Sequence, residues 1–375
     1  MKQALTALFE HLHKRNVMID DGGREEKTLQ KKHPAQNRNV WLSVNRYVGI
    51  SEGFVRPDIA AGFLQQTRGM KELLHPICHE WANRCNTHGI LMIEKTACHA
   101  ATTDTFDVVL LVIVDPQSEP MLLRQYSLNE KKAVLYAVSE RQLNEWLVLG
   151  SHRKAVDWVF NGKVVFDRNG YVQQLRQRLE QFPPKERRLK MGLEFAKLIR
   201  RYTDGKALFA AKHWLDSYNH MVQALHHLAR LTVIEHGLYP EVTVWNQVKR
   251  MDGRIYKLYE ELVGSEEPLP KRLELLLLAS EFLIHSYVES GSSHLCEALK
   301  EKNGTWSIEE MTGHPQFAPY SVDLVIMLEY LVERKVLTVV EMPTKGNTMF
   351  ERYYTLQKKN FDGPLPLILK SGRDR

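Results

Sequence analysis

Two carboxylates stand where a long apolar run begins. Asp104 and Asp107 lie at the start of the stretch Phe106–Val114, in which valine and isoleucine predominate. The run is short for a helix and is typical of a strand buried on both faces. Carboxylates at the mouth of such a strand can hold a divalent metal ion for phosphoryl or nucleotidyl transfer. Asp104 and Asp107 are therefore candidate catalytic residues and metal ligands; the alternative for Asp107 is a residue that caps the start of the strand.

Histidine and cysteine cluster at a second place. His75, Cys78 and His79 have the i, i+3, i+4 spacing that places side chains on one face of a helix, and Cys85 and His88 follow nearby. This spacing can bind zinc, although zinc sites usually contain a second close pair of ligands. A zinc site and an ordinary helix face remain alternatives.

Three further histidines, His213, His220 and His227, recur every seven residues and so share one face of a predicted helix. Such a face either packs in the bundle or lines a cleft between the first two domains, where ligand pockets often lie. Arg230 and His236 also have the R-x5-H spacing of one class of helical ribonucleases, but so short a motif is weak evidence.

The elements around these residues predict an α+β N-terminal domain. A helix is predicted over Met70–Arg84, and Ser139 is predicted to cap a helix that runs to Leu147. The left-handed cap of a third helix is placed at Asn161-Gly162. The predicted strands are Gly89–Ile93, Phe106–Val114, Met121–Tyr126, Lys132–Val138 and Lys163–Asp167.

The pattern changes at Pro183-Pro184, where a purely helical region begins. Long helices are predicted over Lys185–Tyr202 and Lys206–His236, with Gly205 as the joint between them. Together with a helix over Lys271–Val288, they predict an all-α bundle.

The C-terminal region has the order of a winged helix-turn-helix: three helices and then a hairpin of two strands. Ser307 and Glu310 form a predicted capping box. The presumed recognition helix, Ser321–Arg334, is predicted to turn Val322, Val325, Ile326 and Tyr330 inward. Its acidic residues would repel phosphate, so a protein-contact or structural role is weighed against binding of nucleic acid. These residues are Asp323, Glu329 and Glu333.

Length and composition limit the number of domains, the class of partner and the compartment of the protein. The predicted parts are an extension (1–68), an α+β domain (69–181), a helical bundle (182–290), a winged helix (291–360) and a basic tail (361–375). The formal charge of +6 permits an anionic partner without requiring one. Four cysteines without a CxxC pair suit a reducing compartment, and no apolar stretch reaches the roughly 20 residues that span a bilayer. The sequence therefore predicts a cytoplasmic protein that does not contact a membrane.

The stretches Ile90–Lys95, Asp104–Val114 and Gly162–Leu175 resemble the nucleotidyltransferase superfamily of kanamycin nucleotidyltransferase and the small MNT proteins. The segment GKVVFDRNG at Gly162–Gly170 is similar to the superfamily's G-x-V-L-Y-D-x-x-G pattern. The order of elements over residues 70–360 resembles a nucleotidyltransferase-like family of low-GC Gram-positive bacteria. In that family this domain is joined to a helical substrate-binding-like domain and a helix-turn-helix.

The resemblance implies Mg²⁺-dependent transfer of a nucleoside monophosphate from an NTP to a hydroxyl acceptor, which is a small molecule or a macromolecule. It makes Asp107 a metal ligand and Asp104 an auxiliary one. The superfamily's Gly-Ser turn falls near Glu94-Lys95, so Lys95 and Thr96 are the candidates for nucleotide binding.

This sequence departs from the superfamily pattern, because the place of the second carboxylate is taken by Val109 or Thr105, depending on the alignment. A third carboxylate is not evident in Lys132–Val138. Two hypotheses follow: a divergent nucleotidyltransferase-like protein whose site is either active or degenerate, and a non-catalytic, ligand-sensing regulator. The regulator would bind nucleic acid or a protein through its winged helix.

Overall fold

The computed structural model describes residues 72–95, 100–115, 121–128, 130–344 and 348–357. The predicted N-terminal extension, the basic tail and Thr96 lie outside these residues. The described chain forms two compact units. The sheet unit comprises described residues within 72–143 and 158–174, and the helical unit comprises those within 144–157 and 175–357.

The sheet unit contains one helix of its own, five strands and parts of three helices that are shared with the helical unit. Its own helix is α1 (residues 72–82), and the shared helices are α2 (Glu140–Leu149), α3 (Lys154–Asn161) and α4 (Tyr171–Gln181). The strands are β1 (Thr87–Glu94), β2 (Val108–Val114), β3 (Leu122–Leu128), β4 (Lys131–Ser139) and β5 (Lys163–Asp167).

The five strands form a mixed sheet in the order β3-β4-β2-β1-β5. The central strand β2 is parallel to β4 and antiparallel to β1. All seven β2 residues are buried, which confirms the prediction of a strand covered on both faces. The N-terminal domain is therefore α+β, as predicted.

The apolar side chains of β2 alternate between two packed faces. On one face, α1 contributes Leu74, Cys78 and Trp81 to a core with Leu110 and Val112. Ser139 caps α2 as predicted, since its Oγ accepts a hydrogen bond from Gln142 N–H at 3.2 Å.

Gly162 contradicts the prediction of a left-handed helix cap. Its φ is not positive. A Cβ added at Gly162 would lie 2.3 Å from the Trp158 carbonyl oxygen and 3.2 Å from the Leu91 Cβ. This glycine is needed for close packing between α3 and β1, rather than for a left-handed turn.

The helical unit begins with two long helices and continues with shorter ones. These are α5 (Pro184–Ala210), α6 (Trp214–Glu235), α7 (Val244–Met251), α8 (Gly253–Gly264), α9 (Leu269–Ser286) and α10 (Val288–Leu299). The predicted joint at Gly205 is wrong, because α5 continues to Ala210. A Cβ at Gly205 would lie 2.9 Å from Met221 Sδ, and Ser217 Oγ donates to the Gly205 carbonyl at 2.8 Å. Gly205 allows α5 and α6 to approach closely.

The C-terminal part of the helical unit is a helix-turn-helix with a wing. After α10 come α11 (Ile308–Gly313), a 3-10 turn (Ala318–Asp323), α12 (Leu324–Glu333), β6 (Leu337–Pro343) and β7 (Phe350–Leu356). The Ser307–Glu310 capping box is confirmed. Trp306 adds a short antiparallel bridge to Tyr354 of β7.

The buried face of α12 matches the predicted one only in part: Tyr330 is buried as predicted and Ile326 is half-buried. Val322 and Val325 are 74% and 48% exposed, whereas Leu324, Leu328 and Leu331 are buried. Ser321, with φ 49° and ψ −130°, interrupts the helical path, so α12 begins only at Leu324. The helix therefore buries the i, i+4, i+7 set that starts at Leu324.

In the described part of the chain, the helices are too short or too polar to span a lipid bilayer.

Candidate functional site

Asp107 is held by the backbone at the start of β2. Its N–H donates to the Lys132 carbonyl at 2.8 Å, and its carbonyl accepts from Lys95 N–H at 2.8 Å. Its Oδ2 accepts a further hydrogen bond from Lys132 N–H at 2.9 Å. The structure therefore gives Asp107 the capping contact, and it brings Lys95 and Asp107 to the same edge of the sheet.

Asp104 lies in the exposed turn before β2, with φ 54°. Burial and the charge of Asp104 raise the pKa of the Tyr136 phenol. The described residues contain no group of three histidine, cysteine or acidic side chains that could hold a metal ion, and β4 contains no acidic residue. This donor set does not fit the carboxylate cluster that the resemblance implies for Mg²⁺. The metal role of Asp104 and Asp107 stays a prediction.

The zinc alternative is wrong for the described residues. Cys78 points into the core beneath α1, whereas His75 and His79 are exposed and stack with ring centroids 6.0 Å apart. Asn83 Nδ2 lies 3.1 Å from His79 Nδ1. The three side chains of the motif therefore do not converge on one point.

A cavity of about 550 Å³ lies wholly within the helical unit. Its volume falls within the range of about 300–1,000 Å³ that is usual for small-molecule sites. Six of the residues that line it are basic: Arg153, Lys190, Lys197, Arg200, Arg201 and Arg230. Three are acidic: Glu194, Glu241 and Asp323. The cavity therefore carries a net positive charge.

Helical spacing brings these side chains together. Lys190, Glu194, Lys197 and Arg201 follow one another by three or four residues along α5, so they share one face of that helix. The other walls come from the end of α2, the α2–α3 loop, the start of α3, α6, the segment between α6 and α7, and the 3-10 turn before α12.

Glu194 is the buried acidic centre of the cavity. Its Oε2 lies 2.7 Å from His227 Nδ1 and 3.7 Å from Arg230 Nη1, and its Oε1 lies 3.9 Å from Lys197 Nζ. Burial alone would raise the pKa of Glu194, but the hydrogen bond and charge of His227, with Lys197 and Arg230, hold it well below its usual range. Glu194 is therefore an ionised carboxylate that positions three groups around it.

Lys190 is buried beside Glu194. Its Nζ donates to the carbonyl oxygens of Leu147 at 2.7 Å and Val148 at 3.2 Å. Burial lowers the pKa of Lys190 to about 8, against the opposing effect of Glu194. These hydrogen bonds fix the C-terminal end of α2 against α5.

His226 adds a neutral donor. Burial, and then the charges of Arg230 and Arg153, lower the pKa of His226 to about 4. Its Nε2 accepts a hydrogen bond from Trp245 Nε1 at 3.2 Å, so the proton of the neutral ring resides on Nδ1. That buried Nδ1 has no hydrogen-bond partner among the described residues.

The basic residues of the cavity differ in how far they are already paired. Arg200 forms an ion pair with Asp323 and donates to the Val322 carbonyl, both in the 3-10 turn that leads into α12. Arg153 and Arg201 form no ion pair within 4 Å among the described residues. Two guanidinium groups therefore have no carboxylate within ion-pair distance in this part of the chain.

The histidine predictions are confirmed only in part. His227 lines the cavity, but His213 is exposed before α6, and His220 Nδ1 faces Asp204 Oδ2 at 3.6 Å. His226, which the seven-residue pattern does not include, lines the cavity as well. The signal that sequence analysis missed is the periodic placement of cations on one face of α5.

Arg230 and His236 have separate local roles. Arg230 contacts Glu194 in the cavity, whereas His236 Nδ1 lies 2.8 Å from the Thr232 carbonyl at the end of α6. His236 does not line the cavity. The R-x5-H spacing therefore finds no support as a ribonuclease site.

Comparison with known families divides the chain into three matches. Residues 70–187 match a family described as nucleotidyltransferase-like, and residues 188–287 match a YgxA-like substrate-binding domain. Residues 293–356 match a helix-turn-helix domain. The cavity is lined from all three of these segments.

Individual proteins are similar over most of the chain. An uncharacterised protein of Bacillus subtilis strain 168, YgxA, is 48% identical over 289 residues, which cover 77% of this chain and 98% of that protein. A crystal structure of a nucleotidyltransferase-like protein from Exiguobacterium sibiricum 255-15 is 38% identical, with a TM-score of 0.64. That match covers 76% of this chain and 99% of the other.

Proposed function

Because the chain belongs to the YgxA family of nucleotidyltransferase-like proteins, we propose that it is a sensor of a small anionic ligand. The ligand binds in the basic cavity of the helical unit, and its presence is transmitted to the C-terminal helix-turn-helix. This is the non-catalytic regulator of the two hypotheses from the sequence.

The observation that carries this proposal is the position of Arg200. Its guanidinium lines the cavity and also holds the Asp323 carboxylate and the Val322 carbonyl, immediately before α12. An anion in the cavity would compete with Asp323 for this guanidinium. Since a ligand shifts a conformational equilibrium only through contacts that differ between two states, Arg200 supplies the required difference.

The output of the helix-turn-helix is a contact with a partner macromolecule. Residues 293–356 contain six lysines and arginines against nine acidic residues. Glu329 on α12 is occupied by the wing, because Arg352 binds both of its oxygens at 2.9 and 3.0 Å. An acidic surface repels phosphate, so this charge balance favours a protein partner over nucleic acid.

Replacement of Arg200 by glutamine tests the link in the full chain. We expect hydrogen exchange over residues 318–333 to become faster and the affinity for an anionic probe, AMP or succinate, to fall at least fivefold. Lys197→Gln is the matched control, since Lys197 lines the cavity and contacts Glu194 but neither Asp323 nor Val322. It should lower affinity and leave exchange over residues 318–333 unchanged. A loss of affinity in Arg200→Gln without faster exchange would rule out Arg200 as the link.

Nucleotidyl transfer is the second candidate, and the position of Asp107 beside Lys95 at the sheet edge is the observation that favours it. The test is incubation of the full chain with each labelled NTP, Mg²⁺ or Mn²⁺, and a cell extract that supplies acceptors. Asp107→Asn is the sharp control, because asparagine can still accept the hydrogen bond from Lys132 N–H but lacks the charge. Transfer that disappears in Asp107→Asn would support an active enzyme; no transfer is the result expected for a sensor.

A further inference from the structure

The side chains that line the cavity indicate the chemical class of its ligand as well as the sign of the ligand's charge. We infer that the ligand is a phosphorylated small molecule, whose phosphate group is bound by Arg153, Arg201 and His226 and draws Arg200 away from Asp323. This inference rests on the proposed function and deepens it, because it names the chemical class that the same cavity selects.

The first support is the excess of unpaired donors. Arg153 and Arg201 form no ion pair within 4 Å among the described residues, although both line a cavity that contains three acidic side chains and the charge of Glu194 acts on Arg153 from a greater distance. A guanidinium presents a planar set of N–H groups that matches two phosphate oxygens at once. Phosphate, with its several acceptor oxygens and up to two negative charges, can satisfy both groups.

The second support is the state of the neighbouring polar groups. The ionised Glu194 is already engaged by His227 and Arg230, so it offers little to a hydroxyl or amine of a ligand. The buried Nδ1–H of neutral His226 is a donor with no partner among the described residues. The cavity therefore presents donors where the ligand must present acceptors, and a phosphate group carries acceptors alone when it is fully ionised.

The third support is the mutual repulsion of the cationic side chains. Burial lowers the pKa of Arg153, and the charge of Arg230 lowers it further, against the opposing effect of Glu194. Burial also lowers the pKa of Lys190; Glu194 opposes this effect, whereas Lys197 and Arg230 add to it. Clusters of like charge in a cavity are typical of sites that bind the opposite charge, because the ligand relieves the repulsion.

The size of the cavity points to an organic phosphate rather than the free ion. About 550 Å³ is far more than inorganic phosphate needs and suits a ligand of nucleotide size. The Trp146 ring also lines the cavity and stacks on His152, with ring centroids 4.5 Å apart. The remaining volume can therefore receive an organic group attached to the phosphate.

The test is isothermal titration of the full chain with four probes at neutral pH and low salt: AMP, inorganic phosphate, adenosine and succinate. We expect AMP or inorganic phosphate to bind at least tenfold more tightly than succinate, and adenosine not to bind. Arg201→Gln and Arg153→Gln should each weaken phosphate-probe binding at least tenfold. Arg250→Gln, an exposed change outside the cavity on α7, should not alter it. Thermal unfolding of each variant verifies that it is folded.

The possible outcomes distinguish failure of the phosphate assignment from failure of the anion sensor. Succinate binding as tightly as AMP and phosphate would overturn the phosphate assignment and leave the anion sensor standing. No binding by any of the four probes would overturn both. Phosphate-probe binding that is equal in wild type, Arg201→Gln and Arg153→Gln would show that the phosphate is held elsewhere. Arg201→Lys refines the assignment. Lysine keeps the positive charge but lacks the planar set of guanidinium N–H groups, so this variant should bind the phosphate probes more tightly than Arg201→Gln and less tightly than wild type.

Discussion

At the scale of single residues, sequence analysis located the candidate carboxylates but could not assign their contacts. The apolar run after Asp107 was enough to predict a buried strand. The hydrogen bond from Lys132 N–H to Asp107 depends on β2 pairing with β4, which lies 25 residues further along the chain. Likewise, a seven-residue pattern found His227, whereas the role of His226 depends on Trp245 in a different helix. The contacts of a side chain could be predicted where its partner is close in the sequence, and they could not be predicted where the partner comes from a distant segment.

His226 predicts a defined response of stability to pH. Its folded-state pKa of about 4 is below the ordinary value of 6.5, so the unfolded chain takes up this proton first. The contribution of His226 to the free energy of unfolding is therefore full above about pH 6.5 and declines as the pH falls toward about 4. His226→Gln should lose less stability than wild type over this window, measured by urea unfolding at a series of pH values.

His213→Gln is the control for that series, because His213 is exposed. The contribution of Asp157 to the free energy of unfolding changes with pH in the opposite direction. Burial and the charge of Glu241 raise its pKa to about 6, so its contribution is lost as the pH rises from about 3.8 through 6. The effect of His226 is therefore isolated by comparing how the free energy of unfolding depends on pH in His226→Gln and in wild type. Parallel curves for the two proteins would contradict the assignment of a neutral, buried His226.

At the scale of elements, the order of helices and strands was predictable, and the errors fell on residues whose role depends on a packed neighbour. Gly162 and Gly205 carried the usual signals of a helix end, yet each lies where another element comes close. Val322 and Val325 fitted an apolar helical face that the backbone at Ser321 displaces. Periodicity predicts that an element exists; which face is covered depends on tertiary structure.

Arg168 is predicted to be important for joining α1 to the sheet. Its Nε donates to the Thr87 carbonyl at 2.7 Å, and its Nη2 donates to the carbonyls of Ala82 and Arg84 at 3.1 and 3.0 Å. Arg168→Ala removes these three hydrogen bonds, although the Arg84 carbonyl still accepts from Thr87 N–H at 3.2 Å, and should lower the free energy of unfolding by about 1–3 kcal/mol. Lys163→Ala, at an exposed position of β5, should change it by less than about 0.5 kcal/mol in the same urea titration. Equal effects would contradict the role of Arg168.

Gly291 in α10 provides a second test at this scale. A Cβ there would lie 2.4 Å from Cγ of the fully buried Phe195 on α5. Gly291→Ala should therefore destabilise the protein by about 1–3 kcal/mol, despite the better helix propensity of alanine. At Gly264, the last residue of α8, a Cβ would meet no atom within 4 Å. Gly264→Ala should leave the midpoint of thermal unfolding unchanged or raise it. If Gly291→Ala and Gly264→Ala lowered this midpoint equally, the result would argue against close packing of α5 and α10.

At the scale of the whole molecule, the family could be predicted from the order of its parts, whereas the cavity could not. Arg153 and Arg200 lie more than a hundred positions before Asp323 in the sequence, yet all three line one space within the helical unit. None of them belongs to a recognisable motif. The sequence directed attention to Asp104 and Asp107, and the structure adds a basic cavity as a second site.

The acidic balance of residues 293–356 makes a prediction about nucleic acid. Full-length protein should bind fluorescently labelled duplex DNA of random sequence no more tightly than the micromolar range at about 0.15 M salt. Fluorescence anisotropy measures this, with a salt titration to count phosphate contacts. Nanomolar binding that persists at this salt concentration would overturn the preference for a protein partner, while the anion cavity would be unaffected.

The central claim is that the cavity and the helix-turn-helix are coupled, and hydrogen exchange of the full chain with and without saturating AMP tests it most directly. Bound AMP should slow exchange on the cavity faces of α5 and α6. By drawing Arg200 away from Asp323 and Val322, it should also speed exchange over residues 318–333. Slower exchange at the cavity with residues 318–333 unchanged would contradict the account, because the ligand would then bind without being sensed.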